Sequence, residues 1–493
     1  MIISLALSMV TIPIFLKFLN KEEYGLYTIL FQVIGYLSIF DFGLGSAITR
    51  YLAANPGKDE EAQLAVNKVI STSFFTYSVL GILVVVVGIY FSVHVPTLFH
   101  VSKGLSSLAI TIFFTLSVFV GIQFPVRVFS SIFYAHQKQL LSNTVTLVLS
   151  FINFGLPVLF LYFNQGLWSF VYTNIISSVV SVIITFLLIR KYYPNLRVTF
   201  RLFDKALLSQ MFHFGFFVFI GGIATQVVFY TDRFFIGALV SLSAVSVFTL
   251  TAKAAEICRD LIFKITDNVY PALVEISFKE NIEKLKQVHA KLLIITVCFV
   301  MIAFWMVLIL NYWFLKLWVG EEFFAGVTTL LLTLVLMIRH NIIHVSSLFL
   351  FGGGIVKGIS FVAIIEAAIN ITLTIILGKA FGVNGIILAS ILAGIVTTSW
   401  YIPYKISKYL QMNFKEYLLR PILLPFITIN LFGVLMYWVM YQIFHIVTVN
   451  WWSFLFLAFF LGTAFVLFAW ISFLRKEVAE YIPNKIRKYL FIS

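Results

Sequence analysis

Fourteen long apolar runs follow one another along this chain, and they limit it to one kind of fold. Inside a bilayer no water satisfies backbone N–H and C=O groups, so a spanning segment is a helix or a strand of a closed barrel. Barrel strands alternate apolar and polar residues over about ten positions. The runs here are unbroken, and about twenty apolar residues suffice for a helix to cross the hydrocarbon core. Their approximate limits are 1–19, 25–50, 68–93, 106–133, 141–163, 167–190, 211–238, 244–274, 290–313, 324–351, 357–380, 385–404, 420–443 and 452–474. Composition agrees: of 493 residues, 61% are hydrophobic and only 11% charged, against about 25% charged in soluble domains. The expected fold is an all-α polytopic membrane protein. Its first nineteen residues carry no basic n-region and no small-residue cleavage site, so they read as a retained span.

The net charge of +14 is explained by loop position and not by nucleic acid. With the N-terminus in the cytoplasm, 24 of the 34 Lys and Arg fall at cytoplasmic ends and loops, and five fall outside. This is the positive-inside bias, and it predicts that both termini are cytoplasmic. The two cysteines, Cys258 and Cys298, lie in predicted spans and imply neither a disulfide framework nor a zinc site. No P-loop, dinucleotide turn or nucleophile elbow is present, and no loop has room for an ATPase domain, so neither an enzyme nor direct ATP drive is expected.

The chain also reads as duplicated. The Ile-Asn pairs at Ile152 and Ile369 are 217 residues apart, Gly166 and Gly385 are 219 apart, and "EYGLY" (from Glu23) echoes "AVSVF" (from Ala244) at 221. The near-constant offset predicts two parallel six-span lobes, at 1–193 and 211–410. The basic segment 194–210, containing Pro194, joins them, and 411–493 adds two further spans and a basic tail.

Charges inside the spans mark the candidate functional residues, because each costs about 2.5–3.5 kcal/mol on the insertion scale. Asp41 sits within the second run, followed by Gly43 and Gly45, which suit bending or close helix packing. It reads either as a cation- or proton-binding group or as a carboxylate that caps or pairs with a neighbouring helix. Ser246, Thr249, Lys253, Glu256, Asp260, Lys264 and Asp267 form one helical stripe. In it, Lys253 is spaced to pair with Glu256, and Asp260 with Lys264. Arg259 lies off the stripe. Arg127 follows Pro125 near a span end; Arg339, His340 and His344 share one span; Asp232 and Arg233 close another; Glu366 stands alone. Two histidines one turn apart are a poor metal signal, so no metal and no other cofactor is expected.

These residues bring a family into view. "TIPIFLKFLNKEEYGLYTILFQVIGYLSIFDFGLGSAITRYLA" (from Thr11) and "YTDRFFIGALVSLSAVSVF" (from Tyr230), with Pro271 closing the next span, resemble polysaccharide transporters of the multidrug/oligosaccharidyl-lipid/polysaccharide exporter (MOP) superfamily. The resemblance implies two six-helix lobes in a V around a central cavity, in a bacterial cytoplasmic membrane. It implies alternating-access transfer of an undecaprenyl-diphosphate-linked oligosaccharide from the inner to the outer leaflet, driven by an ion gradient or the membrane potential. Partners would be that substrate, membrane lipids, a polysaccharide polymerase and chain-length proteins. Arg127, Lys253, Arg259, Lys264 and Arg339 are then the diphosphate candidates, and Asp41, Asp232, Glu256, Asp260 and Glu366 the cavity or ion-coupling carboxylates. The near match of acids and bases leaves two other readings open: a cation-coupled multidrug exporter, and a non-transporting scaffold for glycan assembly.

Overall fold

A computed structural model describes residues 2–53, 60–136, 138–278, 281–442 and 450–478. Lys58, Lys279, Lys485, Arg487 and Lys488 of the cytoplasmic charges lie outside them. Every described element is helical. In order they are α1 (Ile2–Phe18), α2 (Lys21–Leu37), α3 (Leu44–Ala53), α4 (Glu60–Leu98), α5 (Lys103–Ala135), α6 (Gln139–Tyr162), α7 (Trp168–Tyr192), α8 (Lys205–Leu239), α9 (Leu242–Asp267), α10 (Tyr270–Phe278), α11 (Ile282–Trp318), α12 (Val327–Gly352), α13 (Lys357–Val396), α14 (Thr398–Tyr409), α15 (Phe414–Leu418), α16 (Leu424–Gln442), α17 (Trp451–Ala469) and α18 (Arg475–Val478). Each of the fourteen expected spans has a helical counterpart. Nine helical stretches among the described residues are by themselves long and apolar enough to cross a membrane. The Lys357–Tyr409 stretch counts two expected spans as one, and α1 and α2 each have only seventeen residues, so length and apolarity alone undercount the expected spans.

The described residues pack as two compact units, Met1–Ser246 and Val247–Ser493. In the first, α2 begins with a capping box: Asn20 Oδ1 accepts from the Glu23 amide, and Glu23 Oε2 accepts from the Asn20 amide, both at 2.9 Å. Glu22 reaches the α4–α5 turn, accepting from the Ser102 amide at 2.8 Å. The "NKEEYGLY" segment is thus a helix start tied to a neighbouring turn.

The second expected span is not continuous. After α2 the chain takes a 3₁₀ turn at Ser38–Asp41, and Phe42 and Gly43 both have positive φ. A Cβ on Gly43 would lie 2.2 Å from the Gly215 carbonyl oxygen of α8. Bending and close packing therefore occur at the same residue.

The segment between α7 and α8 is laced to α4. Gln63 Nε2 donates to the Asn195 carbonyl, the Arg197 amide donates to Asn67 Oδ1, the Thr199 amide to Ser71 Oγ, and the Asp204 amide to Thr72 Oγ1. Asp204 then caps α8 by accepting from the Ala206 and Leu207 amides. Residues 63, 67 and 71 are one turn apart, so a single stripe of α4 satisfies the backbone of an extended strap.

The second unit is built on α11, whose Leu293, Val297, Cys298 and Met301 are buried in a core shared with Ile402 and Ile406 of α14 and Leu461 and Phe465 of α17. The two added spans close this core: Phe432 of α16 stacks on Phe468 of α17 at 4.1 Å. The long α13 reverses direction at Gly382 (φ 60°, ψ −136°). Asn370 Nδ2 donates to Ser390 Oγ at 2.8 Å, whereas twenty residues of straight helix would separate them by about 30 Å. Its first arm is the expected span 357–380, and its second arm together with the start of α14 makes up the expected span 385–404. The α6–α7 hairpin of the first unit turns through Asn164 and Gly166, both with positive φ, and Ser177 Oγ donates to Asn153 Oδ1 at 2.5 Å. In each half, the Asn of the repeated Ile-Asn pair bonds a Ser on the returning helix.

Candidate functional site

Each unit encloses its own ionic cluster. In the first, the 3₁₀ turn holds Asp41 so that Oδ1 accepts from the Gly43 amide at 2.8 Å, capping the start of α3. Its Oδ2 and the Tyr77 hydroxyl line the small space beside Gly45. Arg127, two residues beyond Pro125 of α5, lies within Coulombic range of Asp41 and Tyr77. Its guanidinium rests on the Phe124 ring at 4.5 Å, a cation–π contact. Asp41 and Arg127, separate candidates in the sequence, belong to one group, joined by Tyr77, which the sequence reading missed.

In the second unit, Arg339 of α12 meets Glu366 of α13 at 2.6 Å, with side chains 10% and 2% exposed. Arg339 Nε donates to Ser399 Oγ at 3.0 Å and one amino group to Thr398 Oγ1. Glu366 also accepts from Thr397 and Thr398. The guanidinium lies flat on Gly394, where any Cβ would overlap it. Nη1 of Arg339 is buried with no hydrogen-bond partner among the described residues. The three hydroxyls come from the α13–α14 break at Thr397 (φ −122°, ψ −98°). Their sequence signal is the consecutive "TTS" at the end of an apolar run, which the analysis passed over.

The α9 stripe is graded. Ser246 and Thr249 are buried, Lys253, Glu256 and Asp267 half-buried, and Asp260 and Lys264 exposed. Asp260 does not pair with Lys264 as the i, i+4 spacing predicts. Its nearer partner is Arg259, whose Nη2 and Nε both approach Asp260 Oδ1 at 2.9 Å, and neighbouring residues reach each other with less ordering of their side chains. Lys253, Glu256 and Asp232 are each engaged by other groups. At the far end of α9, Asp267 meets His344 Nε2 at 2.9 Å, and the His344 ring stacks on Phe263 at 4.0 Å. No group of three or more metal-ligating side chains occurs among the described residues.

An all-α chain with serial spans and partly neutralised ion clusters buried in its helices defines a multi-pass membrane protein of transporter type. Comparisons agree. The fold matches a solved structure of lipid II flippase MurJ in an inward closed conformation, with a TM-score of 0.73 and 18% identity over 95% of this chain and 97% of that one. It also matches an inward-facing multidrug resistance MATE family transporter of the MOP superfamily, with a TM-score of 0.63 and 16% identity over 83% and 95%. A curated protein of Shigella flexneri named "Putative O-antigen transporter" is 24% identical over 310 residues, covering 62% of this chain and 71% of its own. The model of the family described as polysaccharide biosynthesis protein matches residues 1–277, and the chain belongs to that family. Its fold is that of transporters of the MOP superfamily, and the relatives it matches are named as transporters and flippases.

Proposed function

We propose that this protein moves an undecaprenyl-diphosphate-linked oligosaccharide from the inner to the outer leaflet of a bacterial cytoplasmic membrane by alternating access, driven by an ion gradient or the membrane potential. The lobes are 1–193 and 211–410, joined by 194–210, with 411–493 added, and both termini face the cytoplasm. The observation that carries this reading is that each unit retains a guanidinium inside apolar helices, Arg127 near Asp41 and Arg339 against Glu366. Such groups are retained in membranes for polar cargo or for pairing. Among the described residues Arg339 keeps one unpartnered donor nitrogen, and a guanidinium fits a phosphate oxyanion better than an ammonium does. Lys253, Arg259 and Lys264 supply further cations along α9, while Asp41, Asp232, Glu256, Asp260 and Glu366 hold the coupling ion or balance the charge. Polymerase and chain-length proteins would receive the product.

A second reading has its own support. The carboxylate on each guanidinium keeps the clusters from being strongly basic, which suits a cation-coupled multidrug exporter, and the MATE likeness of the fold is in line with it. A leaflet assay with lipid-linked oligosaccharide separates the two. Arg127→Ala, expressed and folded as the parent, should lower outward movement at least about tenfold, since losing a charged contact to a phosphate costs about 1.5–3 kcal/mol. Normal movement with lost export of cationic drugs would favour the exporter.

A further inference from the structure

We propose that the foot of the 193–204 strap binds the headgroup of an anionic membrane phospholipid, in a cleft that holds its phosphate beside Lys138. The cleft has a volume of about 330 Å³ and is lined by Gln63, His136, Lys138, Tyr192, Tyr193 and Asn195, among others. The Lys138 ammonium stands 4.9 Å from both the Tyr192 and Tyr193 ring centroids, so its position is set before any ligand arrives. Tyr193 is itself held by a 3.0 Å hydrogen bond between its hydroxyl and His136 Nδ1. Nε2 of His136 is buried with no hydrogen-bond partner among the described residues. Burial, and then the Lys138 charge, push the His136 imidazole below its usual range, so Lys138 is the one cation of this lining at neutral pH.

No carboxylate lines the cleft among the described residues. The nearest acids in sequence are Glu60 and Glu61 on α4, Asp59 just before them, and Asp204, which caps α8 and lies 3.9 Å from Lys68. Along the strap and the helix ends that flank it, Arg190, Lys191, Arg197, Arg201 and Lys205 are exposed, and neither Arg197 nor Arg201 has a carboxylate partner among the described residues. Phe200 stands 70% exposed between them. An apolar ring flanked by cations at the boundary of apolar spans is the chemistry of an anionic lipid surface, where each Lys or Arg contributes about 1 kcal/mol. Charge complementarity therefore selects an anionic lipid over a zwitterionic one. This holds whichever substrate the protein carries.

The test titrates the full-length protein in neutral detergent with dioctanoyl phosphatidylglycerol, dioctanoyl phosphatidylcholine or inorganic phosphate, reading bound lipid by native mass spectrometry and the thermal midpoint. Phosphatidylglycerol should bind saturably and raise the midpoint, and the other two should not. The combined variant Lys138→Gln, Arg197→Gln and Arg201→Gln should bind it more weakly by about fivefold per cation removed, with an unchanged midpoint in its absence. Arg197→Lys with Arg201→Lys should bind as the parent, as should Lys408→Gln elsewhere on the surface. Equal binding by parent and triple variant, equal binding of both lipids, or the same response to inorganic phosphate would each overturn the assignment.

Discussion

Arg339 and Glu366 are 27 residues apart in sequence and 2.6 Å apart in the fold. Removing one partner of a buried pair strands the other charge, at a cost of about 3–5 kcal/mol, whereas replacing both with apolar groups of similar volume is often neutral. Glu366→Ala should therefore lower unfolding stability in detergent by about that amount, and Arg339→Met with Glu366→Leu should recover most of it. Additive losses in the double variant would mean that the contact is not the source of the effect. Gly43 makes a steric prediction. Its φ of +71° and its approach to the Gly215 carbonyl exclude a side chain, and the left-handed conformation alone costs an L-residue about 1–2 kcal/mol. Gly43→Ala should cost at least about 2 kcal/mol in the same measurement, while Gly45→Ala, with only ordinary contacts around its site, should cost much less.

At the scale of elements, hydrophobic runs identified the helices because lipid leaves a backbone no alternative. The break at Ser38–Gly43 was legible only at its end, where Gly43 suited a bend; the apolar pattern runs through the rest of it, and nothing in Phe42 signals a positive φ. The charges were legible singly and not as groups. Which face of α5 turns toward Asp41, and which of α12 toward Glu366, depends on helix rotations that periodicity does not fix. Asp260 shows the converse: its i, i+4 spacing to Lys264 was visible, but the adjacent Arg259 is the partner found. In the α6–α7 and α13 hairpins, the Asn of each Ile-Asn pair bonds a Ser on the returning helix. The strap was read only as a charged linker, although Gln63, Asn67 and Ser71 already formed a one-turn ladder. With Asn67→Ala and Ser71→Ala, three bonds to the strap of about 1 kcal/mol each are lost, since Ser71 Oγ also donates to the Arg197 carbonyl. Trypsin cleavage after Arg197 or Arg201 should then be at least about tenfold faster than in the parent. An unchanged rate would show that the ladder does not hold the strap.

For the whole molecule, the comparisons establish a polysaccharide biosynthesis protein family member with the fold of known transporters, while the proposed cargo rests on the buried guanidinium groups. The most direct measurement follows lipid-linked oligosaccharide between leaflets in vesicles containing the purified protein. The account predicts outward movement that depends on the protein, falls in Arg127→Ala, and persists in the triple strap variant when the lipid composition is held constant. Movement at the same rate in protein-free vesicles, or with Arg127→Ala indistinguishable from the parent, would contradict it.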